Sequence, residues 1–121
     1  RAYYLSRDEI RQISRDHSYV EELVAMGAIT KEDAANHPKK NIITRALGVD
    51  ASVESDYFEC PLHKGDGILL CSDGLSNMVS DKEVHDHFRE NALPKDVCSK
   101  LMELALARGA RDNVSIVLIK T

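Results

Sequence analysis

Gly65 to Val79, written GDGILLCSDGLSNMV, constrains the fold more than any other stretch of this chain. Ile68 to Cys71 is an apolar run, and Ser72, Asp73 and Gly74 follow it without a spacer. The pattern predicts a buried strand that stops abruptly and delivers a carboxylate at its end. Gly74 suits a tight turn and a close approach of backbone, because no Cβ stands in the way. A carboxylate held at a strand end beside a turn suits a hard cation. It equally suits plain capping of the helical turn behind it, since Asp-Gly turns are common.

A second stretch, ARGARDNVSIVLIK, narrows that choice. Gly109 to Asn113 is a polar turn, and Val114 to Ile119 is an apolar, β-branched strand. Asp112 stands just before a strand, as Asp73 stands just after one. If the two strands are antiparallel neighbours, both carboxylates lie on one edge of the sheet. Asp16, in the sequence RDHS, is on spacing alone a loop acid favoured by the N-terminal dipole of the helix that follows.

With these motifs in hand, a resemblance is visible. SDGLSNMVSDKEV followed by GARDNVSIVLI resembles the C-terminal half of the metal-dependent protein serine/threonine phosphatases of type 2C, the PPM family. SRDHSYVEELVAMGAITKEDAANHPKKNIITRALG is similar to the bacterial branch of that family. The resemblance implies that residues 1–121 are the C-terminal part of one catalytic domain, an αββα sandwich, with a flap-like segment at about 17–47. It implies a pair of Mn²⁺ or Mg²⁺ ions, with Asp73 and Asp112 holding the second of them. Asp16 corresponds to a ligand of an additional, weaker metal. Asn77 stands where relatives often carry an aspartate, which weakens that third site here. Gly74, Asn77 and Asn113 surround the ligands.

The resemblance also implies an activity: hydrolysis of phosphoserine and phosphothreonine on proteins phosphorylated by a serine/threonine kinase. It places no catalytic residue within this chain. The phosphate-contacting arginine and the metal-bridging aspartate-glycine pair belong to an N-terminal half that is expected to precede Arg1. The chain alone is then expected to be inactive. The alternative is a non-catalytic, phosphatase-like binding module.

Composition bounds the rest. The 121 residues are 43% hydrophobic and 30% charged, as expected for one globular domain or part of one. A formal net charge of −4 offers no cationic excess for nucleic acid. No apolar run approaches the roughly 20 residues of a membrane span. The three cysteines lack CxxC spacing, which predicts no zinc site and a reducing, cytoplasmic setting. Cys60 and Cys71 read as small core residues.

Element by element, Ala2–Leu5 and Glu9–Ser14 predict a hairpin. Ser18 with Glu21, Thr30 with Asp33 and Ser80 with Glu83 each have capping-box spacing and start helices. Val53–Cys60 and Ile68–Ser72 read as strands. Pro94 opens a long helix with Val97, Leu101 and Leu104 on its core face, and Gly109 ends it. Val114–Ile119 reads as an interior strand. The fold class is α+β, antiparallel sheet with flanking helices. The edges of Ala2–Leu5 and Val114–Ile119 are expected to lack partners and to promote self-association or a swapped dimer. Arg108 and Arg111 read as surface charge, able to reach Asp112 or a phosphate. His63, His85 and His87 have no ligand spacing, and His37 lies in the flap-like segment.

Overall fold

The hydrophobic periods become four strands and five helices in the computed structural model, which describes residues 1–121. In chain order these are β1 (Ala2–Leu5), β2 (Ile10–Gln12), α1 (Tyr19–Ala25), α2 (Lys31–Asn36), β3 (Gly67–Cys71), α3 (Asp73–Ser76), α4 (Asp81–Glu90), α5 (Pro94–Ala107) and β4 (Ile116–Lys120). They divide into two units, one of Arg1–Ser14 with Phe58–Thr121 and one of Arg15–Tyr57.

The larger unit is an antiparallel sheet in the order β2-β1-β3-β4 with helices on one face. Strand side chains alternate between faces. Tyr3, Leu5 and Leu69 point one way and are fully buried with Leu75, Val84, Phe88, Val97, Leu101 and Ala105. The other face carries Leu70, Val117 and Ile119, which are 44%, 55% and 56% exposed. Register sets Leu70 opposite Val117 and Ile68 opposite Ile119, so these side chains form one continuous apolar surface.

The helices follow their end signals. The Ser80 side chain accepts from the Glu83 backbone N–H, and the Glu83 carboxylate accepts in return from the Ser80 N–H at 3.0 Å. Pro94 sits in the first turn of α5, where its missing N–H costs nothing. At the other end Gly109 takes φ +74°. Its N–H reaches the Leu106 carbonyl at 2.9 Å, and the Ala110 N–H reaches the Ala105 carbonyl at 3.2 Å. This pair of bonds closes the last turn, and only a residue without Cβ adopts that φ at no steric cost.

The smaller unit has little core. Val20 and Ala34 are its buried apolar residues. Ser18 caps α1 through the Glu21 N–H alone, whereas Thr30 and Asp33 complete a full capping box at α2. Gly27 and Ala28 then terminate α1 on the carbonyls of Val24 and Leu23. A single β-bridge joins Ser18 to Ile43.

Four expectations fail. Val53–Cys60 is not a strand. Its composition is strand-like, but both edges of β3 are taken by β1 and β4, and no strand pairs with it. Tyr57 and Phe58 are accordingly exposed, and Cys60 is a half-buried loop residue rather than core. β4 lies at the edge of the sheet, not in its interior, and β1, expected to have a free edge, is paired on both sides. Apolarity on both faces of β4 marks what it could cover, not how many neighbours it has.

Candidate functional site

Ser72 is the residue where β3 leaves the ladder. Its backbone N–H still donates to the Ser115 carbonyl at 3.0 Å, beyond the Cys71–Ile116 pair. Its side chain does not cap α3. Instead the hydroxyl donates to the Asn113 carbonyl at 3.0 Å and accepts from the Ser115 N–H at 2.9 Å. One hydroxyl therefore straps the end of β3 to the loop that begins β4. Sequence reasoning missed Ser72, which reads as the last residue of the strand, because its partner lies 43 residues away.

Gly74 completes the strap. A Cβ there would lie 2.3 Å from the Asn113 carbonyl oxygen, so the loop can cross at this height only over glycine. Asp73 is the first residue of α3 and is exposed. Asp112 is exposed in the crossing loop, and its Oδ1 accepts from the Asn113 N–H at 2.7 Å. Because β3 and β4 are antiparallel neighbours, the two carboxylates stand at the same end of the same strand pair. Neither has a basic partner. Asn77 caps the C-terminus of α3, one turn after Asp73, with its N–H on the Asp73 carbonyl at 2.9 Å. Asn113 contributes its backbone, through both N–H and carbonyl, to the turn.

The arginines take other roles. Arg108 forms a two-pronged pair with Glu83, at 2.5 and 3.0 Å, and donates to the Met78 carbonyl at 2.7 Å. Its partners are Glu83 and Met78 rather than Asp112, so the surface charge read from the sequence is an engaged one. The guanidinium, with the Ser80 N–H and hydroxyl, holds the Glu83 carboxyl far below the usual range, and Glu83 in turn raises Arg108. Arg111 is exposed.

Asp16 belongs to the Arg15–Tyr57 unit, is half-buried, and lies two residues before the α1 cap. Its neighbour His17 meets Asp56 at 2.7 Å, and Arg45 holds the other Asp56 oxygen at 3.0 Å and the Glu54 carbonyl at 3.1 Å. Hydrogen bonding from His17 first, and Arg45 second, lowers the Asp56 carboxyl below its ordinary value. No spacing signal in the sequence links residues this far apart. His37 packs edge-on to Tyr19 with ring centres 6.2 Å apart. The Nε2 of His85 lies 3.0 Å from the Ser6 carbonyl.

No group of three or more His, Cys, Asp or Glu side chains converges in the structure. The donor set at the β3–β4 end still fits a hard cation in part. It consists of two exposed carboxylates without a competing cation, the oxygen ligands that Mg²⁺ and Mn²⁺ take, and several coordination positions remain for water or other donors.

The sheet with its one-sided helical layer has counterparts among known phosphatases. Residues 51–114 match the family model described as protein phosphatase 2C. The serine/threonine phosphatase stp of Listeria innocua is 42% identical over 120 residues, which is 99% of this chain and 48% of that protein. The serine/threonine phosphatase of S. agalactiae superposes with a TM-score of 0.90 at 35% identity, covering 100% of this chain and 50% of that one. The catalytic domain of the phosphatase PstP, solved in complex with two manganese ions, gives a TM-score of 0.77 at 36% identity over 98% of this chain and 48% of that chain. The chain belongs to the protein phosphatase 2C family. It spans about half the length of the relatives it matches.

Proposed function

We propose that this chain is the C-terminal part of the catalytic domain of a metal-dependent protein serine/threonine phosphatase. The observation that carries the reading is the Ser72–Gly74 strap, which fixes Asp73 and Asp112 at one end of the β3–β4 pair. Asp73 and Asp112 hold a divalent cation there, Mn²⁺ or Mg²⁺, one of two in the complete site. When bound, the metal pair neutralises phosphoryl oxygens and acidifies coordinated water, which phosphate monoester hydrolysis needs because its uncatalysed barrier is very high. The chain's own residues position carboxylates; the phosphate-contacting arginine and the remaining metal ligands come from residues outside this chain. Residues 17–47 act as the flap, and Asp16 serves an additional, weaker metal. The open face of the sheet carries the second sheet of the sandwich.

The substrates are proteins bearing phosphoserine or phosphothreonine, made by a serine/threonine kinase. The setting is cytoplasmic, in keeping with three free thiols. No helix is long and apolar enough to cross a membrane.

The test is Mn²⁺ titration of the ¹⁵N-labelled chain. Paramagnetic broadening should begin at the amides around Asp73 and Asp112. Asp73→Asn and Asp112→Asn should each weaken it strongly. Broadening centred elsewhere, or as strong in both variants as in the wild type, would remove the metal reading.

A further inference from the structure

At the end of the sheet away from Asp73 and Asp112, where β3 begins and β4 ends, there is a cavity of about 620 Å³. The turn Lys64–Gly65–Asp66 lines it, and that turn is pinned. The Gly65 N–H reaches the Thr121 carbonyl at 3.1 Å, and the Asp66 carboxylate accepts from the Tyr4 hydroxyl at 2.9 Å and the His63 N–H at 2.8 Å. Arg7, from the β1–β2 turn, and Arg89, from α4, also face the cavity. The ring of Phe88 gives it an apolar wall, with the Lys120 amine 4.6 Å from the ring centre.

Its charges separate into engaged and unengaged groups. Asp66 is held by the bonds just given, from neutral donors that leave its charge in place. Asp86 pairs with Lys82 at 2.6 Å. Lys120 lies over Phe88 and near the Asn91 and Ala92 carbonyls, both at 3.4 Å. Arg7, Lys64 and Arg89 remain without an ion pair, against the carboxylates of Asp66 and Glu90. A chain whose formal charge is −4 thus gathers three cations without an ion pair, from three separate elements, around one cavity that also holds Asp66 and Glu90. A carboxylate would satisfy one guanidinium fork. A phosphate group, with up to two charges and three outward oxygens, uses all three cations. The cavity is larger than phosphate, so a small organic body fits beside it against Phe88.

We propose that this cavity binds a phosphate group, free or carried by a small molecule, at a site separate from the carboxylate end of the sheet. The inference is independent of the metal reading, and its test excludes metal. The ¹⁵N-labelled chain, with EDTA present and sodium chloride balancing ionic strength, is titrated with inorganic phosphate and separately with free O-phosphoserine. Saturable shifts are expected at the amides of Lys64, Gly65, Arg89 and Glu90. Arg7→Gln with Arg89→Gln should weaken binding about tenfold or more, as should Lys64→Gln to a smaller extent, while Asp73→Asn leaves it unchanged. Tighter binding of phosphoserine identifies the carried phosphate as the ligand, and equal binding identifies the free anion. Shifts reproduced by chloride, rising without saturation, or unchanged in folded arginine variants would overturn the proposal.

Discussion

Gly74 has room for a hydrogen and for nothing larger. The obstacle at 2.3 Å is a backbone carbonyl, which cannot rotate away as a side-chain tip could. Gly74→Ala must therefore lift the 112–115 loop or push α3, at a cost of about 1–3 kcal/mol by analogy with overpacked cores. It should also separate the two carboxylates and weaken Mn²⁺ binding. Urea denaturation and the Mn²⁺ titration check both effects, and a variant unchanged in either removes the strap from the argument. At Glu83 the expected behaviour is pH-dependent. Its carboxyl is held far below the ordinary value of 4.5, chiefly by Arg108, so its stabilising contribution is fully present above that value and is lost progressively as pH falls from it towards the lower folded value. The difference in urea midpoint between wild type and Glu83→Gln should be largest near neutrality and shrink below pH 4.5. Salt should reduce it as well, since the pair is partly exposed. A constant difference from neutral to acid pH would show that Glu83 acts through packing alone.

At the scale of the element, α5 shows what local patterns can predict. Val97, Leu101 and Ala105 recur at helical spacing and are fully buried, while Glu103 is exposed and near Lys100. Leu101→Ala should cost about 2–5 kcal/mol, and Glu103→Ala should stay within about 0.5 kcal/mol. Equal midpoints for the two variants in chemical denaturation would contradict the packing. Helix ends were legible because a cap is a bond between residues three apart, as at Ser80 and Thr30. The carboxylates were legible because Asp73 and Asp112 each abut an apolar run. Val53–Cys60 was misread because a strand is defined by a partner, and no local pattern says whether one is present. The same limit hid Ser72 and the His17–Asp56–Arg45 group, whose bonds span 43 and 39 residues. The edge position of β4 depends on sheet order, which is equally non-local.

For the whole molecule, the decisive facts are an uncovered apolar face and a carboxylate pair with no third such donor converging on it. Leu70, Val117 and Ile119 lie side by side in water, and the outer edge of β4 offers unpaired backbone groups. Both features favour association, the face through apolar area and the edge through strand pairing. Light scattering on the 121-residue chain should show self-association that rises with concentration. Val117→Lys with Ile119→Lys should suppress it without lowering the unfolding midpoint, because both side chains point away from the buried core. The same sample should turn over p-nitrophenyl phosphate negligibly with Mn²⁺. Two carboxylates supply only part of a bimetal shell, a cation held so loosely is mostly hydrated, and no arginine at that end is free to orient a phosphoryl group except the exposed Arg111. Robust turnover abolished by Asp73→Asn would show that this half suffices for chemistry. A monomeric chain would show instead that the exposed face tolerates water, leaving the account of the metal ligands untouched.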